Sequence, residues 1–488
     1  MRNNDDNIRI PSWAVSLIPI IFLIGVMVIV VRAFGTDALG GASQLSLILS
    51  SGIAAGIAMV FYRCPWSALE TAILENIKGV GSGILILLMI GVISGTWMVS
   101  GIVPAMICYG LKIISPTIFL FAVCLICAAV SVITGSSWTT VATIGVAMIG
   151  IGSALGYPMP WTAGAIISGA YFGDKMSPLS DTTVLASSSA GVPLFSHIRY
   201  MLVTTVPSFV ITLVIFLVVS LVHPSPVITE ADATTAILKS KFVISPWLML
   251  VPLFSGFLIY RKVPAFITLL LSGMAACVAS VIAQPSIIQE VAGMPAGSMM
   301  SLSSGFKGSM ISCFGSTAIQ TGDASIDALV ATRGMNGMMP TVLLVICAAT
   351  FGGVLRGSGM IQSLTGELVR RISSRTSVVS STVATGIFSN LTTGDQFLSI
   401  ILTASLFSKL YKDKGYEERL LSRSVEDSAT VTSVLIPWNS CGMTQSTVLH
   451  VPTLEYMPYC FFNIISPLMS IFIASIGYKI VTRDDTST

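Results

Sequence analysis

The sequence has little charge and few groups that act as catalytic bases. Only 10% of its 488 residues are charged, while 53% are apolar, which excludes an ordinary water-soluble protein. The histidines, His197, His223 and His450, lie too far apart for the spacing of a histidine-based metal site. There is no nucleophile motif, Walker loop or basic run. The sequence therefore predicts no enzyme, no cofactor and no nucleic-acid partner.

Cysteine is present, but not in a pattern that predicts a framework of disulfides. The nine cysteines are an odd number, and most lie in apolar stretches. Cys124 and Cys127 form a CxxC pair inside one such stretch. We interpret both as small apolar fillers, since a thiol buried among apolar side chains packs like one.

Long apolar runs are what the chain has in abundance, with a mean hydropathy of +0.88. Pro11–Val31 and Met201–Val222 are each long enough to cross a hydrocarbon core of about 30 Å. The first lacks a small-residue cleavage pattern and is predicted to stay as an anchor. We expect an all-α polytopic membrane protein with about 11–13 transmembrane helices, whose first partner is the lipid bilayer.

Polarity divides the chain into four parts. Residues 1–79 are predicted to hold N-terminal helices, ending in an interfacial amphipathic helix at 65–79. Residues 80–222 form a first repeat, 223–245 a polar linker, and 246–488 a second repeat with C-terminal helices.

The two halves resemble each other at a constant spacing of 258 residues, for example 359 − 101. The identities are Gly95, Ser100, Gly101, Ile114, Ser115, Ser131 and Thr134, which recur as Gly353, Ser358, Gly359, Ile372, Ser373, Ser389 and Thr392. Each half also has two polar breaks, at 134–140 and 174–191, and at 392–395 and 424–442. Paired breaks in two repeats are typical of transporter binding sites, and we expect inverted repeats.

Positive charge flanks the segment 376–408 on both sides. Three arginines precede it and five basic residues follow it, namely Arg370, Arg371 and Arg375, then Lys409, Lys412, Lys414, Arg419 and Arg423. The positive-inside rule places both groups in the cytoplasm. The segment is therefore predicted to be a re-entrant hairpin with its tip at 389–395, and 115–152 a second one with its tip at 134–140.

The first half places two carboxylates beside a helix break. Asp174 and Asp181 flank Pro178, which interrupts a helix. Charged groups inside a bilayer usually mark an ion or substrate path. With the hydroxyls of Ser177 and Thr182, they form a candidate site for Na⁺ or H⁺. The alternative is a structural ion pair, such as Asp174 with Lys175.

The hairpin tips are rich in hydroxyl, amide and carboxyl groups. The candidates are Ser136, Ser137 and Thr140 at the first tip, and Ser389, Asn390, Thr392 and Asp395 at the second. Helix termini at such tips bind a cation through carbonyls or an anion through N–H groups, and the sequence leaves both open. By the 258 spacing, Asp395 adds a charge where the first half has Ser137.

The second half repeats the break at Pro437 with different side chains. Asp427 and Asn439 are its candidates, and Asn439 is the approximate counterpart of Asp181. Because an amide does not titrate, one half alone would carry the proton. Glu426 is interpreted as the cytoplasmic end of its helix.

At these residues the chain resembles the NhaC family of Na⁺/H⁺ antiporters. The motifs are GTWMVSGIVPAMICYGLK (95–112), TGSSWTT (134–140), GAYFGDKMSPLSDTT (169–183), FGGVLRGSGM (351–360) and EDSATVTSVLIPWNSCG (426–442). The resemblance implies Na⁺/H⁺ exchange across a bacterial cytoplasmic membrane, with Asp174 and Asp181 in the signature. It also implies inverted repeats and two re-entrant hairpins. The family often has an acidic residue where this chain has Arg356.

Na⁺ is expected on Asp181 and Asp174, helped by Ser177, Thr182 and oxygens of the tips, with one of the two carboxylates taking the competing proton. Three alternatives stay open: a Na⁺/H⁺-coupled exchanger of organic anions or amino acids using Arg356 as counter-charge, a channel, and a membrane enzyme. A homodimer is compatible with the Na⁺/H⁺ antiporter and with the organic-anion exchanger.

Overall fold

The protein is described here as a computed structural model that covers residues 10–34, 41–222, 228–295, 299–370 and 374–480. His223 and Arg371 lie outside these ranges. The helices of the first half are α1 (Trp13–Ser16), α2 (Ile18–Phe34), α3 (Ala42–Tyr62), α4 (Trp66–Val99), α5 (Ile102–Ile113), α6 (Phe119–Thr134), α7 (Ser137–Thr140), α8 (Val146–Ala154), α9 (Met159–Met176), α10 (Asp181–Ser189) and α11 (Leu194–Val222).

The helices of the remaining chain are α12 (Ile228–Lys241), α13 (Leu250–Tyr260), α14 (Ala265–Ala283), α15 (Pro285–Val291), α16 (Leu302–Phe314), α17 (Ala324–Val330), α18 (Met339–Gly357), α19 (Met360–Arg370), α20 (Arg375–Thr393), α21 (Gln396–Asp413), α22 (Glu418–Val425), α23 (Ser440–Leu449), α24 (Thr453–Tyr456) and α25 (Phe461–Ile476). Two π-helical turns, Val141–Gly145 and Glu426–Thr430, continue α7 and α22. Across the described ranges, β-structure amounts to one bridge between Thr317 and Thr332, which confirms the all-α prediction.

Eight helical segments of the described chain are long and apolar enough to cross a membrane, or ten if each of two sharply bent pairs is one span. Length and composition alone thus give fewer crossings than the predicted 11–13. Three further helices, α9, α20 and α21, have 18 or 19 residues, but hydroxyl and carboxyl groups reduce their hydropathy. The polarity that makes these helices candidates for the site also hides them from a hydropathy count.

The outer surface is apolar and much of the interior is polar. Val60 is 72% exposed on α3 and Ile282 is 76% exposed on α14, which suits side chains that face lipid. Conversely, serine, threonine, asparagine and aspartate side chains are buried among the central helices. Polar groups therefore meet inside the protein.

The predicted interfacial helix at 65–79 is wrong as a separate element. Pro65 is the N-cap of α4, and this helix continues unbroken from Trp66 to Val99. Its buried face packs against α18, where Asn76 is 1% exposed and donates a hydrogen bond to the carbonyl of Ala349 (3.1 Å). The charged residues Glu70, Glu75 and Lys78 stay exposed, so the segment is the first part of a long packed helix.

The predicted linker 223–245 is mostly helical. Residues 223–227 lie outside the described ranges, and α12 covers 228–241. Leu238 and Phe242 are fully or almost fully buried, and Lys241 pairs with Glu290 at 2.6 Å. This segment is therefore part of the packed fold.

The two halves repeat the same sequence of elements. A long helix ends at Ser100 in one half and at Ser358 in the other, and each is followed by a left-handed glycine, Gly101 (φ +78°) and Gly359 (φ +74°). A short helix then leads to a helical hairpin, α6 to α8 or α20 and α21. In each half a broken helix follows the hairpin.

Candidate functional site

The first hairpin turns at Gly135, which has a φ of +69°. A Cβ atom there would come within 2.7 Å of the Leu179 backbone, so the tip approaches the broken helix closely because this residue is glycine. Ser136 then caps α7 by accepting a hydrogen bond from the N–H of Thr139 (3.2 Å). Ser137, 1% exposed, is aimed at the break itself.

Asp174 joins the tip to the break. One carboxylate oxygen accepts a hydrogen bond from the Ser137 hydroxyl at 2.7 Å, and the other from the Ser180 hydroxyl at 2.6 Å. Asp174 is only 5% exposed. Ser180 is also the N-cap of α10, and Pro178, before it, cannot donate to a helical carbonyl. The tip and the break therefore bring one carboxylate and two hydroxyls together.

The other hydroxyls of this half have different roles. Thr182 shares a 2.9 Å hydrogen bond with Ser180 and so lies in the second layer around Asp174. Ser177 donates to the carbonyl of Val132 (2.8 Å), which ties the break to α6. Thr140 donates to the carbonyl of Ser136 (2.9 Å) and stabilises the tip.

Asp181 lies apart from this arrangement. It is exposed at the first residue of α10, and its carboxylate has no hydrogen-bond partner among the residues that the structure describes. Its charge is near enough to act on Asp174, but the contacts to the tip are made by Asp174. The geometry favours Asp174 as the central carboxylate, and Asp181 stays a prediction.

The second hairpin turns at Gly394 (φ +66°). Asp395 caps α21 by accepting a hydrogen bond from the N–H of Leu398 (2.9 Å), and its other oxygen accepts from the Ser440 hydroxyl (3.3 Å). The Ser440 N–H also donates to the carbonyl of Gly394 at 2.8 Å. Asp395 is 3% exposed, so this tip also places a buried carboxylate against a broken helix.

Two asparagines tie the second hairpin to its broken helix. Asn390 donates to the carbonyl of Ala429 (2.7 Å), and Asn439 donates to the carbonyl of Asn390 (3.2 Å). Thr392 donates to the carbonyls of Phe388 (2.9 Å) and Ser389 (3.2 Å) in the preceding turn of its own helix. The Ser389 hydroxyl is buried and has no hydrogen-bond partner in the described ranges. Of the four candidates at this tip, Asn390 and Asp395 contact the broken helix.

The structure corrects the pairing of the two halves. From the hairpins onward the spacing is 259, as in 394 − 135 for the tip glycines. Ser131 and Asn390 both donate to equivalent carbonyls, Ala170 and Ala429. The predicted pairs of Ser131 with Ser389 and of Thr134 with Thr392 are therefore wrong, because the second half has one more residue before its tip.

The spacing of 259 changes which residues of the two halves correspond to each other at the site. Asp395 corresponds to Ser136, since both follow the tip glycine and cap the next helix, and not to Ser137. Asn439 corresponds to Ser180, since both cap the helix after the break, and not to Asp181. At these two positions the two halves therefore differ in the residue that caps a helix.

A buried ion pair links the two halves. Lys175 on α9 and Asp427 in the π-helical turn form a salt bridge, and both side chains are 0% exposed. The same carboxylate oxygen accepts hydrogen bonds from Thr204 and Ser466, each at 3.1 Å. Asp174 is thus not the partner of Lys175, and Asp427, which stays a predicted site residue, is paired with a buried cation.

Sequence reasoning missed Glu426 and misplaced Arg423. The sequence predicts Glu426 at the cytoplasmic end of its helix and Arg423 in a cytoplasmic basic group, yet both are 0% exposed. Arg423 lies 3.9 Å from the second oxygen of Asp427 and over the Tyr200 ring at 4.7 Å. The available signal was the run of small polar residues after Glu426, which is unusual for a water-exposed helix end.

The two tips approach each other across a narrow cleft. Trp138 from the first tip and Asp395 from the second both line it, together with Ser440 and the small residues Ser82 and Gly83 of α4. Next to it, the Cys441 thiol donates to the side-chain carbonyl of Gln396 (2.7 Å). Asp395 is thus the buried carboxylate that lines this cleft.

In the described ranges, no group of three or more His, Cys, Asp or Glu side chains could hold a metal ion. All nine cysteines are free thiols, and Cys124 and Cys127 are buried in α6. The interpretation of this pair as apolar filling agrees with that environment.

The sequence matches the model of the Na⁺/H⁺ antiporter family over residues 3–190 and 169–478. The chain belongs to the Na⁺/H⁺ antiporter family. The resemblance inferred from its motifs is confirmed. Together with its apolar helices, this makes it a multi-pass bacterial membrane protein.

Three relatives of this family member are similar over most of its length. It is 38% identical to the Na⁺/H⁺ antiporter NhaC of Alkalihalophilus pseudofirmus, covering 86% of this chain and 87% of that one. It is 35% identical to the Na⁺/H⁺ antiporter NhaC of Bacillus subtilis, covering 88% and 90%. It is 32% identical to the malate-2H⁺/Na⁺-lactate antiporter of Bacillus subtilis, covering 98% of each chain.

Arg356 has a surface partner in this antiporter family member. Its guanidinium pairs with Glu75 at 2.6 Å, and the two side chains are 30% and 63% exposed. A second contact reaches the carbonyl of Ala72 (3.4 Å). The charge is therefore neutralised at the surface of α4 and is not directed at a hairpin tip.

Proposed function

We propose that this protein exchanges Na⁺ for H⁺ across the cytoplasmic membrane by alternating access, with Asp174 as the carboxylate for which the two ions compete. The observation that carries the proposal is the position of Asp174, buried and bonded at once to a hairpin tip and to a helix cap. Buried carboxylates at such breaks are typical of ion pathways in transporters.

The chemistry follows from the donors around Asp174. The hydroxyls around Asp174 are those of Ser137 and Ser180, which donate to its carboxylate, and of Thr182, which shares a hydrogen bond with Ser180. Each hydroxyl oxygen also has lone pairs that can face a cation. Na⁺ is a hard cation and is suited by carboxylate and hydroxyl oxygens. A protonated Asp174 has no negative charge to attract Na⁺, so one ion excludes the other. This competition is what an exchanger needs.

Asp395 supplies a second carboxylate in the other half, at the cleft between the tips. We assign it to the path by which the cation reaches the tips. The driving energy is the gradient of one of the exchanged ions, so the proposal needs no cofactor and no enzymatic step. Whether two copies form a homodimer stays a prediction.

The test uses purified protein in sealed vesicles that contain a pH-sensitive dye. A pulse of NaCl, with choline chloride as the control salt, is expected to move protons. Asp174→Asn should abolish this movement, and Asp181→Asn, the matched control, should keep most of it. If Asp181→Asn is the inactive variant, the exchange stands but the central carboxylate is wrong.

A second candidate is Na⁺/H⁺-coupled exchange of an organic anion. The full-length similarity to the malate-2H⁺/Na⁺-lactate antiporter favours it, but Arg356, the expected counter-charge, is paired with Glu75. In the same vesicles, proton movement that appears only after malate or lactate is added would replace the first proposal with this one.

A further inference from the structure

Five ionisable side chains are buried together where the two broken helices meet. They are three carboxylates and two bases, Asp174, Glu426, Asp427, Lys175 and Arg423, and none is more than 5% exposed. If all are ionised, the cluster lacks one positive charge. An uncompensated charge in a membrane interior is costly, so the missing charge has to be supplied.

Local contacts show which carboxylate lacks compensation. Asp427 has Lys175 on one oxygen and Arg423 at 3.9 Å from the other. Asp174 has a hydroxyl donor on each oxygen. Neither oxygen of Glu426 has a hydrogen-bond partner among the described residues. The deficit therefore falls on Glu426.

The surroundings of Glu426 can hold a small cation. Lys175, Asp174 and Asp427 are near enough for their charges to act on it, and Thr430 lies close by on the next turn. The Thr430 hydroxyl is also buried without a partner in the described chain. Both residues lie at the ends of the π-helical turn, a distortion that is frequent at functional sites.

Few other charges face this position. The adjacent helix α25 has no charged residue, and those of α20 and α21 are Arg375, Lys409, Lys412 and Asp413, toward the helix ends. Asp181 begins the neighbouring helix α10 and is exposed. His197 bonds Ser422 through Nδ1 at 2.8 Å. These groups do not neutralise Glu426 by a direct contact in the described structure.

We propose that Glu426 is an ion-carrying carboxylate of this transporter, which holds one monovalent cation, H⁺ or Na⁺, whenever it is sealed inside the protein. This deepens the proposed function and rests on it, because the cation would be one of the two exchanged. Glu426 and Asp174 then belong to one ion path, one on each broken helix. Because Lys175 and Arg423 leave the cluster one positive charge short, a single cation neutralises it, so Glu426 holds the cation while Asp174 is ionised and Asp174 holds it in the other step of the cycle.

The test compares Glu426→Gln with Glu455→Gln, an exposed glutamate on α24 as the matched control. Wild-type vesicles must first move protons on addition of NaCl, since failure there would refute the proposed function and not the role of Glu426. We then expect Glu426→Gln to lose at least about 90% of the transport rate while Glu455→Gln keeps it. The thermal midpoint of Glu426→Gln in choline chloride should equal or exceed that of the wild type, because an unpartnered charge is removed.

Two further measurements distinguish the ions. If Glu426 holds Na⁺, the rise in thermal midpoint that NaCl causes in the wild type should shrink in Glu426→Gln. If it holds H⁺, that rise should persist while the pH dependence of the apparent KM for Na⁺ disappears. The proposal is overturned if Glu426→Gln keeps the wild-type rate, or if it folds normally and changes neither the NaCl-dependent rise nor the pH dependence.

A measurement on the wild type covers the case in which Glu426→Gln does not fold. A hydrophobic carbodiimide reacts with protonated carboxyl groups in apolar surroundings, and mass spectrometry locates the modified peptide. We expect labelling at Glu426 that decreases with added NaCl or rising pH. Absence of labelling at Glu426 under all these conditions would overturn the proposal.

Discussion

The first and second halves build the same scaffold with the carboxylate and the serine exchanged. In the first half, the broken helix supplies the carboxylate, Asp174, and the hairpin supplies the serine, Ser137. In the second half, the hairpin supplies the carboxylate, Asp395, and the broken helix supplies the serine, Ser440. Backbone turns and helix caps are kept, while charge is placed differently. The repeat therefore fixes where a site can form, and the side chains of each half decide what it does.

The largest expected effect comes from the buried ion pair of Lys175 and Asp427, which has no counterpart in the repeat. With the 259 spacing, Val434 stands where Lys175 would recur, and Ser168 where Asp427 would have its equivalent. Asp427→Leu would leave the buried Lys175 without its carboxylate partner, which costs about 3–5 kcal/mol. We expect a large fall in the thermal midpoint of the purified protein.

The matched control is the double variant Lys175→Met with Asp427→Leu. It removes both charges and should recover most of the lost stability. Equal stability of Asp427→Leu and the wild type would show that the ion pair does not hold the halves together.

A smaller effect is expected from removing the serine that donates to each carboxylate, Asp174 in the first half and Asp395 in the second. Ser137→Ala and Ser440→Ala each remove one hydrogen bond to a carboxylate, worth about 1.5–3 kcal/mol for a charged partner. If Asp174 is where the ions compete, Ser137→Ala should raise the apparent KM for Na⁺ roughly tenfold or more, and Ser440→Ala should raise it less. Equal increases would place both carboxylates in one site. The measurement is the initial rate of proton movement against NaCl concentration.

The smallest effect contrasts a surface ion pair with the buried one. Glu75→Gln breaks the pair with Arg356, whose side chains are partly exposed, and exposed pairs contribute about 0–1 kcal/mol. We expect a thermal midpoint and a transport rate close to those of the wild type. A loss of transport in this variant, without loss of stability, would return Arg356 to the candidates for substrate binding.

Local patterns in the sequence were reliable wherever local chemistry decides the structure. Apolar runs predicted the membrane helices, and Pro178 and Pro437 marked breaks that exist, because proline removes a backbone donor wherever it lies. The tip glycines Gly135 and Gly394 adopt positive φ, as tight turns require. The separate helix predicted at 65–79 failed because its other face, with Asn76, packs against α18, more than 270 residues away along the chain.

The sequence by itself determined the membrane class, the four breaks, the internal repeat and the family, since hydropathy, proline, glycine and short motifs act locally. Only the tertiary structure decided the one-residue shift of register, the choice of Asp174 over the exposed Asp181, and the burial of Lys175, Asp427 and Glu426. Their contacts join residues about 250 positions apart. A charge on a helix is equally compatible with lipid headgroups, water or a buried partner, and packing alone selects among them.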